Sequence, residues 1–450
     1  TGPTAPQAQG DIPISENEKV VFMKSSRWYK LDTAALIFPA IKQHNWNNVF
    51  RVSATLREDV DPSVLQTAVI NLMPRFPSFY VRLRKGLFWN YLEKIEQPPV
   101  VMQDYAYPLV YMGSEEMKRC CLRILYYKNR IAAEFFHSVS DGSGGSIYLR
   151  SLTAEYLRIR HGIEIEYDDT ILDPSEKPRV YELEDSFSKN AGSVSGREVG
   201  KKAFRLSGTR EPGDYKHLIT AVTDSDLLHD TARRYGGTVT AFLAGVMLQT
   251  IMEMQASTVP AGKEKPVRIT IPVNMRRLFG SRTLRNFVLT LNLGVDPRTG
   301  PYSLEELVRN VTYQLGLKAT KQNMASEIAS NVSAQKSLLI RVIPLGLKHF
   351  VMNLAYASFG EQLGCINISN LGVVSCPEQI AGYIERIEFI IGTQRTYPNN
   401  CSVASFNGKT YINLIRNIKE TELERLFLTK LVSLGIPVRI ESNDMGGGNE

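Results

Sequence analysis

Cysteine is scarce in this chain: five among 450 residues, at Cys120, Cys121, Cys365, Cys376 and Cys401. The number is odd, no C-x-x-C occurs, and no histidine stands at zinc-ligand spacing. These absences exclude a disulfide scaffold, give no metal site, and fit reduced, mostly buried thiols in a cytoplasmic protein. Apolar runs of roughly 18 residues, the length that spans a membrane, are also missing, so a soluble protein without integral membrane association is expected. The greasiest stretch, Thr238 to Met254, carries Gln249 and Glu253 and reads as a buried helix. No Lys/Arg block with interleaved aromatics accompanies the net charge of +7, which argues against nucleic acid. The mild basic excess suits a phosphate-bearing small molecule better. The first 13 residues lack the apolar middle of a secretory signal and read as a flexible leader.

With 43% apolar and 22% charged residues, the composition is that of an ordinary globular protein. The length exceeds what one core accommodates, so two lobes of roughly 200 residues are expected. Turn signals and periodicity place the first lobe at 14–175, a linker at 176–200, the second lobe at 201–441 and a flexible tail at 442–450. In the first, Asn48 to Leu56 alternates as a strand, a helix opens on Asp61-Pro62, and another helix ends at Gly162. Ile171 to Gly200 is polar and low in aliphatics, which suits a surface connection. In the second, helical segments are interspersed with strand-like ones, EQLGCINISNLGVV and IERIEFIIG among them, Asn407-Gly408 marks a type I′ hairpin, and Thr421 with Glu424 forms a capping box before a helix that stops at Gly435. There is no regular βαβ rhythm, so the fold class is mixed α/β (α+β) and not a doubly wound sheet.

Residues Phe135 to Gly145 read FFHSVSDGSGG. A histidine closes an apolar strand, an aspartate follows four residues later, and glycines precede a helix. A strand end before a glycine-rich turn holds an imidazole at a mouth and lets backbone approach a ligand. Near pH 7 an imidazole is well matched to proton abstraction. Gly142, Gly144 and Gly145 make no G-x-G-x-x-G, because Ile147 occupies the last position, and read as a tight turn. Ser138 and Ser140 are conceivable nucleophiles, but no G-x-S-x-G elbow surrounds them. Asp141 could orient the imidazole as a relay acid, or cap the helix beginning near Ser143.

The stretch HSVSDG is followed by GGSIYLRSLTAEYL, TVTAFLAGVM, IPVNMRR before RNFV, and ISNLG near residue 370. In order and spacing, these segments resemble the coenzyme A-dependent acyltransferase superfamily. It includes chloramphenicol acetyltransferase, the BAHD plant acyltransferases, alcohol acetyltransferases and peptide-synthetase condensation domains. The resemblance runs through nearly the whole chain. It is closest to bacterial alcohol acetyltransferase-like proteins, because the BAHD motif DFGWG is absent and SNLG stands near its place. That departure leaves the acyl donor open. The resemblance implies two chloramphenicol acetyltransferase-like lobes with a channel between them. An acyl-CoA co-substrate would enter from one face and a small-molecule alcohol or amine from the other, with no bound cofactor.

On this resemblance His137 is the general base, working in a ternary complex without an acyl-enzyme. Asp141, supported by Gly142, points away from the channel and pairs with an arginine of the second lobe. By its position in IPVNMRR that partner is Arg276, with Arg277 the second choice. Asn370 matches SNLG and either shapes the channel wall or, with Ser369 and Asn367, donates to an oxyanion; INISNLG otherwise reads as a turn between strands. Two rivals stand beside this reading: a condensation-type enzyme taking acyl groups from a carrier protein, and a non-catalytic binding protein of the same fold.

Overall fold

Alternation of period two sets the sheets, and the computed structural model, which describes residues 27–41, 48–196, 200–336, 342–355 and 362–444, contains three of them. The leader at 1–13 and the end of the tail, 445–450, lie outside the described residues. A five-stranded sheet runs β12 (Ile384–Ile391), β2 (Val49–Leu56), β7 (Arg130–Phe136), β6 (Leu122–Tyr127), β5 (Met102–Gln103). A seven-stranded sheet runs β10 (Val288–Val295), β9 (Val267–Asn274), β11 (Ile366–Val373), β13 (Asn399–Phe406), β14 (Lys409–Arg416), β8 (His217–Asp224), β15 (Arg439–Ser442). The third is small: β1 (Trp28–Lys30), β4 (Asn90–Lys94) and β3 (Val81–Lys85).

Helix Gly142–His161 lies across β2 and β7 beside helix Pro62–Leu72, forming one apolar core. Helix Val239–Thr258 packs on β9 beside Leu304–Lys318 and Glu422–Ser433 and centres a second. By length and composition it could cross a membrane. In the fold its Phe242, Leu243, Val246, Met247, Leu248 and Ile251 are fully buried in protein.

One strand joins the two halves. Between β11 and β13, both in the seven-stranded sheet, the chain leaves to lay β12 antiparallel along β2, then returns. Phe389 O, on that strand, accepts from Ser402 Oγ at 2.7 Å and from Asn413 Nδ2 at 3.1 Å, which ties β12 back to β13 and β14.

Local structure follows the sequence in several places and departs from it in three. Asp61 caps Pro62–Leu72 through Ser63 and Val64 N–H, Gly162 takes the left-handed C-cap, and Asn407-Gly408 turns with both φ positive, as a type I′ hairpin requires. Thr421, however, makes no side-chain bond to the following helix. Its intended partner Glu424 is 1% exposed and accepts from Asn399 Nδ2 at 3.1 Å, so a buried tertiary contact replaces the capping box. The segment that composition assigns to the surface runs there for most of its length but is anchored inward: Glu182 pairs with fully buried Arg75 at 2.6 Å, and Phe187 enters the second core. Finally, Gly142, Gly144 and Gly145 form the first turn of the helix, and not a turn before it.

Candidate active site

Strand β7 delivers His137. It pairs with β2 from Thr55↔Arg130 to Val49↔Phe136, and the His137 N–H continues the ladder to Asn48 O at 2.8 Å. The chain then turns and is helical from Gly142. The imidazole stacks on Phe38 at 4.6 Å and meets the edge of Phe50 at 5.2 Å. It is half-buried and lines a cavity of about 320 Å³ between the two large sheets. Its Nδ1 lies 3.1 Å from Asn286 Oδ1. With an amide oxygen as acceptor, Nδ1 carries the hydrogen and Nε2 keeps its lone pair. Burial lowers the His137 pKa below its usual value, opposed in part by main-chain hydrogen bonding, Asp141 and Asn286.

Asp141 is both cap and ion-pair partner. Oδ1 accepts from Ser143 and Gly144 N–H, each at 3.1 Å, and Oδ2 accepts from Phe287 N–H at 2.8 Å and Arg276 Nη1 at 2.9 Å. Arg276 also donates Nε to Thr283 O at 2.7 Å and Nη2 to Arg285 O at 2.6 Å, while Arg277 is exposed. The pair therefore pins the histidine turn to the loop before β10. Ser138 and Ser140 are fully buried, donating to Ala35 O at 3.1 Å and Leu284 O at 2.6 Å, and line no part of the cavity.

The glycines set how closely this turn packs. A Cβ on Gly142 would lie 2.9 Å from Phe389 Cζ; one on Gly144 would lie 2.2 Å from Ser140 Oγ and 2.4 Å from Leu284 O. Gly144→Ala should therefore cost about 1–3 kcal/mol as overpacking against backbone that Ser140 already holds, readable as a lower denaturation midpoint. A wild-type midpoint would show that the Leu284 loop yields freely.

The far wall comes from alternation in β9, β10 and β11. Ile269, Ile271, Leu291, Leu293, Ile366 and Ile368 enter the second core, while Thr270, Asn274, Thr290, Asn292, Asn367 and Ser369 face the cavity. INISNLG is thus strand, not turn. Asn370 also lines the cavity, but its amide is engaged: Nδ2 donates to Thr240 Oγ1 at 3.0 Å and Oδ1 accepts from Gly372 N–H at 2.7 Å. Asn367 gives its main-chain N–H to Asn400 Oδ1 at 2.9 Å. Ser143 Oγ accepts from Asn274 Nδ2 at 3.0 Å, so its own proton remains available on the cavity wall. No cysteine lines the cavity; burial pushes Cys120 and Cys376 to about 11 and Cys365 and Cys401 to about 12.

The sequence reading missed Asn286, Asp32, Phe38 and Ser143. Ser143 and the polar residues of β9 and β10 carried a signal, respectively adjacency to the histidine turn and strict alternation. Phe38 and Asp32 carried none: Phe38 stacks on His137 from about a hundred residues away in sequence, and Asp32 meets Asn286 across 254.

No protein-family model matches the chain, and no curated protein matches it. Solved structures do. Polyketide synthase associated protein 5 from Mycobacterium tuberculosis is similar over 90% of this chain and 97% of its own, with TM-score 0.58 and 15% identity. Fusarium sporotrichioides TRI101, complexed with coenzyme A and T-2, matches over 92% and 100%, with TM-score 0.59 and 10% identity. The condensation domain of the Monacolin K polyketide synthase MokA matches over 90% and 96%, with TM-score 0.56 and 11% identity. The chain has the two-lobed fold that chloramphenicol acetyltransferase-like acyltransferases and condensation domains share.

Proposed function

We propose that the protein transfers an acyl group from a coenzyme A thioester to a hydroxyl or amine of a small molecule, with His137 as general base. The carrying observation is the half-buried imidazole on the wall of a cavity between the lobes, with Nδ1 engaged by Asn286 and Nε2 left basic. The fold shared with a coenzyme A-bound TRI101 supports the reading. Five cysteines with no disulfide among the described residues fit a reducing, cytoplasmic setting.

An alcohol is a far weaker acid than imidazolium, so its proton moves to Nε2 as its oxygen attacks the thioester carbon. The tetrahedral oxyanion draws on the Ser143 and Ser369 hydroxyls, while Asn367 and Asn370 shape the cavity wall beside Ser369. Breaking the C–S bond restores the carbonyl, and the departing thiolate takes the proton back from the imidazolium. No protein atom is acylated.

Incubation with a panel of acyl-CoAs, alcohols and amines should release free thiol only when an acceptor is present. The likeness to a condensation domain favours one second reading, in which the acyl group arrives on a carrier protein. Thiol release from acyl-carrier substrates alone would select that reading, and release from neither would leave a binding protein.

The lowered pKa of His137 sets the pH dependence. The base form is neutral, so kcat/KM should be level around pH 7 and decline on the acid side with a midpoint below 6.5, the ordinary histidine value. A midpoint above 6.5 would indicate an imidazolium stabilised by a neighbouring carboxylate, contrary to the site as built.

A further inference from the structure

We infer that Asp32 fixes the tautomer of His137 through Asn286, so that a carboxylate with no contact to the ring decides which imidazole nitrogen is the base. The inference rests on the general-base reading and adds two positioning residues to it. Asp32 is fully buried and does not line the cavity. Its Oδ1 accepts from Ala35 N–H at 2.7 Å, closing a local turn. That leaves Oδ2 to accept from Asn286 Nδ2 at 3.3 Å. Asn286, 2% exposed, turns its other end to the ring, with Oδ1 3.1 Å from His137 Nδ1.

Direction along this chain is forced. An ionised carboxylate only accepts, so the amide must point its NH₂ at Asp32 and its oxygen at His137. An oxygen there requires Nδ1–H, which places the lone pair on Nε2. The charged groups facing Asp32 are Arg285, 3.7 Å from Oδ2, and Asp185. Burial, opposed first by Arg285, brings the Asp32 carboxyl to about 6, so it is ionised at pH 7.

Asp32→Asn is the informative substitution because an amide serves the local turn as well as a carboxylate does. Ala35 N–H would hold the new side-chain oxygen, so its NH₂ would meet Asn286. Asn286 must then reverse, present its own NH₂ to Nδ1, and drive the hydrogen to Nε2. The expected kcat falls by roughly 10²-fold or more, within the span of general-base contributions, with KM for acyl-CoA little changed. The double swap, Asp32→Asn with Asn286→Asp, again offers Nδ1 an acceptor and should recover most of kcat.

The tautomer is read independently of activity from ¹⁵N spectra of the full chain with labelled histidine, the His137 signals assigned by their loss in His137→Gln. Nδ1–H is expected in the wild type and the double swap, and Nε2–H in Asp32→Asn. Unchanged tautomer and kcat in Asp32→Asn would overturn the inference, as would a loss that the double swap leaves unrepaired. If Asp32→Asn does not fold, Asn286→Ala cuts the link without touching the turn: mixed tautomers support the inference, and pure Nδ1–H overturns it. Full activity in His137→Gln would instead sink the general-base reading, while the same spectra still decide the tautomer.

Discussion

His137→Ala should abolish acyl transfer while leaving acyl-CoA binding nearly intact. The imidazole is assigned to removing the acceptor's proton, and general-base groups contribute roughly 10² to 10⁴-fold, so most of the rate should go with it. The ring is held between Phe38 and Phe50, and its removal opens space beside the cavity without unpairing a charge. Thioester affinity, measured by calorimetry with a non-transferable analogue, should shift by less than about tenfold, or 1.4 kcal/mol. Attack is direct, so intact-mass measurement after exposure to acyl-CoA without acceptor should show no acyl adduct. Ser138 and Ser140 are sealed away from the cavity, and no thiol lines it, so none of these groups is placed to take the acyl group. Undiminished transfer by the alanine variant would remove His137 from the chemistry; a stoichiometric adduct would replace the ternary complex with a covalent route.

How much of this was legible in the sequence depends on how far each contact reaches along the chain. Asp61, Gly162 and Asn407-Gly408 act on neighbours within four residues, and their roles could be read directly from residue type. The strand end at Phe136 and the helix after Asp141 were readable in the same way. Thr421 and Glu424 show the limit, because Asn399 and Arg416 compete for the Glu424 carboxyl from a sheet that local pattern does not see. The cavity wall was half legible: alternation in β9, β10 and β11 marks which residues share a face, but not which cavity that face meets. IERIEFII has the apolar content of a strand, yet nothing in it says that β12 pairs with β2, more than three hundred residues earlier. Asn286 sits beside Arg285 in a loop whose role appears only once Asp32 and His137 converge on it.

Asp141→Asn should lower stability and activity together. The amide oxygen could still take the Ser143 and Gly144 N–H groups, since asparagine caps helices well. Its NH₂ would then face Phe287 N–H and Arg276 Nη1, donor against donor, where the carboxylate now accepts both. Among the described residues Arg276 has no other carboxylate, and the pair is nearly sealed, with side chains 10% and 2% exposed. Removing one partner of such a buried pair costs about 3–5 kcal/mol, because the remaining charge stays desolvated. Activity falls with it because Phe287 N–H, released from Asp141, no longer fixes the loop that carries Asn286 to His137. Denaturation midpoint and kcat, measured on the same preparation, separate this from a relay role: a relay acid would lose rate while unfolding normally. Arg276→Met should lose comparable stability, and the double variant much less than the sum of the two single losses, since both remove one interaction. Additive losses, or an Asp141→Asn protein that unfolds like the wild type, would mean that the turn is held by something other than this pair.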